Sequence, residues 1–151
     1  MTIDFTEKFD IPSGTAQTRG HGANGRTWKS PSHRKAAAAW QALFERHRPE
    51  KPLSGPVTVY ACLLYHNDKA GAAGRPKTTR PDYDNLAKVF TDALVSAGIV
   101  AEDKLIFDAR TIKWEWSGAE MVQFHIETEE TPQKTAKNRK NPQETAKNPQ
   151  K

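Results

Sequence analysis

Pro81-Asp82-Tyr83-Asp84-Asn85-Leu86-Ala87-Lys88-Val89-Phe90-Thr91-Asp92-Ala93-Leu94, followed by Gly98 and the acidic pair Glu102-Asp103, is the stretch on which this chain turns. Leu86, Val89, Phe90, Ala93, Leu94 and Ala97 recur every three or four residues, the spacing of an amphipathic helix. Gly98 suits the position just past its end. Asp84, Lys88 and Asp92, four apart, share the opposite, polar face. Ahead of the helix, Asp82 and Asp84 alternate, and in an extended segment alternate side chains point the same way. Two carboxylates held that close repel unless a proton or a cation stands between them. Oxygen donors suit Mg²⁺, which binds through one or two carboxylates and keeps several waters. Mn²⁺ takes the same donors. The plainer alternative is one Asp as helix N-cap plus i,i+4 ion pairs of roughly 0.2–0.5 kcal/mol each. One cap needs one Asp, however, and Pro81, Asn85, Lys88 and Asp103 accompany this pair.

Working outward, Val57 to Tyr65 is apolar on both faces, as expected of a central strand. Between it and the motif, residues 66–80 carry Lys69, Arg75, Lys77 and Arg80 around Gly71 and Gly74, which reads as a mobile basic loop. After the motif, Leu105 to Trp116 alternates as a strand, with Trp114 and Trp116 on one face as core or dimer interface. Ser117-Gly118 makes a turn, and Met121 to Thr128 is expected to return as the hairpin partner. Toward the N-terminus, residues 3–11 alternate as one or two short strands. Residues 13–25 form a loop containing Arg19, with Arg26 and Lys29 just beyond, and Gly25-Arg26-Thr27-Trp28 reads as a short hairpin arm. Ser30-Pro31 is an N-cap followed by proline at the first helical position. The helix after it, roughly 32–47, puts Ala36, Trp40, Leu43 and Phe44 on one face.

The 151 residues are long enough for one domain with a real core. That domain is expected over residues 1–130. Residues 131–151 repeat Pro-Gln-Lys/Glu-Thr-Ala-Lys-Asn and hold no large apolar side chain, so they read as a disordered basic tail. It is either an arm adding non-specific DNA affinity or a solubilising extension. Nothing resembles a membrane span or a secretory leader. With a single cysteine, Cys62, expected as a small core residue, no internal disulfide is available, and a cytoplasmic setting follows. Residues 1–81 hold 13 basic and 6 acidic side chains, and residues 82–130 hold 4 and 11. A metal enzyme acting on a polyanion needs such a basic part for phosphates and an acidic part for the cation, unless folding mixes the two. The histidines are scattered without metal-ligand spacing, and no phosphate-binding loop signals a nucleotide cofactor.

Residues 80–116 resemble the signature region of the RusA-type endodeoxyribonucleases, the Holliday junction resolvases of bacteria and their prophages. The resemblance rests on Pro81-Asp82-x-Asp84-Asn85-Leu86-x-Lys88, then Asp92-Ala93-Leu94, Gly98 and the acidic turn ending at Asp103. It implies an α/β (α+β) fold, a mixed β-sheet packed with two main helices. It implies a homodimer that makes paired, Mg²⁺-dependent nicks in a four-way DNA junction. By position, Asp82, Asp84 and Asp103 would be metal ligands, and Lys88 a catalytic base or charge stabiliser with Asp92 as its partner. Arg19, Arg26, Lys29, Lys69, Arg75, Lys77 and Arg80 are the candidate DNA contacts. The rival expectation is a non-catalytic DNA-binding or nucleoprotein module that uses the basic loop and tail.

Overall fold

The computed structural model describes residues 1–14, 19–21 and 27–129, with the segments 19–21 and 27–29 as backbone. The expected tail at 131–151 and Arg26 lie outside the described residues. The elements run β1 (Thr2–Lys8), β2 (Arg19–His21), β3 (Thr27–Lys29), α1 (Pro31–Glu45), β4 (Val57–His66), α2 (Tyr83–Ser96), a 3-10 turn (Asp103–Leu105), β5 (Ile106–Trp116) and β6 (Met121–Thr128). One sheet has the order β1-β6-β4-β5, and β2 pairs with β3 in a separate antiparallel ribbon. β4 and β5 are parallel, and the other two pairings are antiparallel, so the sheet is mixed. Parallel neighbours need a long crossover, and α2 supplies it. Both helices match their sequence signals. Ser30 caps α1, its Oγ accepting from the His33 N–H at 3.1 Å, with Pro31 at the first turn.

Alternate residues of the sheet meet the helices. Val57, Val59, Ala61, Leu63 and Tyr65 of β4, Val122, Phe124 and Ile126 of β6, and Phe5 of β1 pack with Ala36, Trp40, Leu43 and Phe44 of α1 and the apolar stripe of α2. Phe124 is the hub. Its ring centroid lies 5.4 Å from Phe5, 6.0 Å from Trp40, 5.0 Å from Phe44 and 5.5 Å from Phe90. At the end of α2, Gly98 has φ +73°, and its N–H bonds to the Val95 carbonyl while the Ile99 N–H reaches the Leu94 carbonyl. This is a Schellman ending, with Leu94 and Ile99 both fully buried beside it.

Three expectations are corrected. β5 and β6 are not a hairpin pair, because they flank β4 on opposite sides. The reason lies in composition: Val122, Phe124 and Ile126 have no exposed surface and need cover from both helices, whereas β5 carries Asp108, Arg110, Lys113 and Glu115 and tolerates an edge. β6 is consequently an interior strand, and the sheet edges are β1 and β5. Second, β4 is central, yet only one of its faces is sealed. Cys62, on the other face, is half-exposed and not a core residue. Third, the basic loop is stitched down over part of its length. The Gly74 N–H donates to the Glu115 carbonyl, the Glu115 N–H to the Arg75 carbonyl and the Lys77 N–H to the Lys113 carbonyl, each at 2.8–2.9 Å. This strap extends the sheet beyond β5. At the far edge, Met1 and Thr128 exchange backbone contacts, the Thr128 N–H donating to the Met1 carbonyl at 3.1 Å.

Candidate active site

Asp82 occupies the N-cap of α2 with extended backbone (φ −66°, ψ 142°), but its side chain makes no capping hydrogen bond. The carboxylate is exposed and left for another partner. Its backbone does hold the helix, since the Leu86 N–H donates to the Asp82 carbonyl at 3.0 Å. Asp84 is in the first helical turn, so the two aspartates are not alternate members of one extended segment. They stand instead on either side of the strand-to-helix transition. Both lie at the positive end of the helix, where a carboxylate is stabilised by roughly 0.3–1 kcal/mol.

Asn85, buried, donates its Nδ2 to Asp84 Oδ1 at 3.2 Å and orients that carboxylate. Lys88 lies one turn on and forms an i,i+4 pair with Asp92 Oδ1 at 3.2 Å. Asp103 opens the 3-10 turn, which packs on α2, and its side chain is exposed. Beside it, Lys104 is paired to Glu102 at 2.5 Å. Among the described residues, no three His, Cys, Asp or Glu side chains stand close enough to make a ready metal cage. The donor chemistry nonetheless fits a hard, partly hydrated cation. Such an ion takes one or two carboxylates and fills its remaining positions with water, and among the described residues the Asp82 side chain has no competing hydrogen bond.

The basic candidates divide. Arg75 and Lys77 are on the strap beside β5, and Arg80 sits two residues before Asp82 in sequence. Lys77 is already engaged: its Nζ lies 4.9 Å above the Tyr65 ring and donates to Thr79 Oγ1 at 2.8 Å. Lys69 is exposed further along the loop. Arg19 and Lys29 are backbone register partners in the β2–β3 ribbon. The histidines with described partners are structural. His47 stacks on Phe5 at 3.8 Å and bonds Glu7, His66 bonds the Gly118 carbonyl and Asp68, and His125 bonds Asp4.

Lys113 was missed by sequence reasoning. Its Nζ donates to the carbonyls of Thr79 at 3.1 Å and Pro81 at 2.6 Å, immediately ahead of Asp82. Burial, then the neighbouring Lys77, lowers its pKa, with Asp82 pulling the other way. No local signal marks it, because in the alternation of β5 Lys113 falls opposite Ile112, Trp114 and Trp116, and only its pairing with Leu63 turns it toward the helices. Compared with known families, residues 11–129 match the model described as Endodeoxyribonuclease RusA. No curated protein matches the chain.

Proposed function

Since the chain belongs to the RusA endodeoxyribonuclease family, a family that hydrolyses DNA phosphodiester bonds, we propose that it resolves four-way junctions and related branched DNA by paired nicks supported by Mg²⁺ or Mn²⁺. Asp82, Asp84 and Asp103 would hold the cation, and the observation that carries this is the Asp82 carboxylate, placed at a helix N-cap and capping nothing. When bound, a divalent cation there supplies a Lewis acid for the phosphoryl oxygen and an acidified water. The chain's own groups do the rest. Asn85 orients Asp84, Arg75 on the strap and Arg80 beyond it would meet the adjacent backbone phosphates, and Lys88 would offer positive charge to the extra negative charge of the transition state. Asp92 holds the Lys88 ammonium at the helix surface meanwhile.

Dimerisation belongs to the same proposal. It is supported by the sheet face turned away from the helices. There Tyr60, Cys62 and Leu64 of β4 adjoin Ile112, Trp114 and Trp116 of β5 and Met121 of β6, all at least partly exposed. Asp4, His125, Tyr60 and Arg110 form one row across that face, acidic at one edge and basic at the other. A second copy turned about an axis parallel to the strands would set Asp4 against Arg110, the self-complementarity an isologous interface requires. A two-fold dimer then offers two equal sites to a two-fold junction.

The test is cleavage of labelled junction, fork, flap and linear duplex by the full-length protein, with and without Mg²⁺. Junction nicking should need the cation. Asp82→Asn, Asp84→Asn and Asp103→Asn should each abolish it while junction binding is kept or tightened. Near wild-type cleavage by any of the three would remove that residue from the site.

A further inference from the structure

Lys113 is 32 residues from Pro81 in sequence and still holds the chain that leads into Asp82. It sits opposite Leu63 in the β4–β5 register and therefore on the helix side of the sheet. From there its ammonium reaches the Thr79 and Pro81 carbonyls, while its own carbonyl accepts the Lys77 N–H. Asp82 is thus fixed on both sides: by Lys113 through the preceding carbonyl, and by the Leu86 N–H through its own.

We propose that Lys113 is a positioning residue for the Asp82 carboxylate, anchoring the backbone from which that carboxylate reaches a divalent cation. This inference rests on the reading of Asp82 as a metal ligand. Two effects of the lysine oppose each other. As an anchor it favours metal binding, because ligands serve only when held within roughly 0.5 Å of the productive geometry. As a positive charge near Asp82, whose carboxylate pulls the lysine's pKa upward against burial and Lys77, it repels a cation. The anchoring should win, since Lys113 is partly buried and spends its protons on two carbonyls that accept from no other donor among the described residues. Removing it would leave those carbonyls to water and the segment before Asp82 free to shift.

The sign of the effect on metal affinity separates the two. Mn²⁺ binding to the full-length protein without DNA, followed by electron paramagnetic resonance of the free ion, supplies the readout. Lys113→Met should weaken Mn²⁺ binding by about 10-fold or more, the usual scale for groups that orient a metal ligand. Lys113→Arg, which keeps donors for both carbonyls, should restore most of the loss. Should Lys113→Met fail to fold by circular dichroism, Lys113→Gln, polar but too short for both carbonyls, takes its place with the same expected loss. Unchanged or tighter Mn²⁺ binding in these variants, with binding lost in Asp82→Asn, would overturn the positioning role and leave the metal site standing. Wild-type binding in Asp82→Asn would instead overturn Asp82 as a ligand, and the positioning role with it.

Discussion

Lys88 and Asp92 were legible as a pair from their spacing alone, because a helix brings i and i+4 together whatever surrounds it. The structure shows that pair exposed, with side chains about half accessible. Such a contact contributes only about 0.3–0.5 kcal/mol. Lys88→Ala should therefore leave the urea midpoint almost unmoved while removing most of the junction-cleavage rate. Parallel losses of stability and activity would make Lys88 structural instead. Asp82 was legible as a candidate ligand, but its geometry was not. Whether a carboxylate turns back to cap a helix or away from it depends on how the preceding backbone is held, and here the holder, Lys113, comes from a strand that local spacing cannot connect to it.

At the level of elements, the strap at residues 74–77 and the paired row on the sheet face each lead to a measurement. Arg75 and Lys77 lie on the strap, and Arg80 comes two residues before Asp82. If they neutralise phosphates, junction affinity falls with salt at a log–log slope of about −0.9 per phosphate. Replacing all three by alanine should flatten the slope, with Lys77 contributing least because Tyr65 and Thr79 already engage it. An unaltered slope would move the DNA path away from the strap. On the sheet face, His125 bonds Asp4 at 2.5 Å and lies 3.7 Å from Glu127, with the Tyr60 ring centroid 5.9 Å away. The hydrogen bond to Asp4 is the first cause of its raised pKa, opposed by desolvation and aided by both acids. A histidine with a higher pKa folded than unfolded stabilises while protonated. Its contribution is complete below the unfolded value of about 6.5 and is lost as pH rises through the folded value. His125→Gln should thus lower Tm more at about pH 5.5 than at about pH 8.5. Equal shifts at both pH values would show that the ring acts by packing alone.

For the whole molecule, both helices, their caps and the central place of β4 followed from periodicity. The strand order did not. Alternation tells which face of a strand is apolar but not which strand lies beside it, so residues 105–128 read as a hairpin although β6 inserts between β1 and β4. That insertion leaves β6 no free edge, and the proposed dimer uses the open face instead. A chain ended after Glu130 should sediment as a dimer and cleave junctions. Ile112→Glu, a change at a half-exposed side chain of that face, should yield a monomer with its Tm little affected. A dimeric Ile112→Glu protein would place the contact elsewhere, and a monomeric shortened chain would give the tail the assembly role.

The backbone bonds between Met1 and Thr128 carry one more consequence. Two positions 127 residues apart in sequence are hydrogen-bond neighbours, so in space the folded chain is almost a ring. A few added glycines between those positions would close it, and an opening at the Gly71–Gly74 bend would interrupt no strand of the sheet. In that circularly permuted chain β6 and β1 become a local hairpin, and β4 and β5 become the distant partners. Since the entropy of closing a loop grows with the logarithm of its length, the rearranged gene would encode the same fold while reversing which edge of the sheet is the more difficult to assemble.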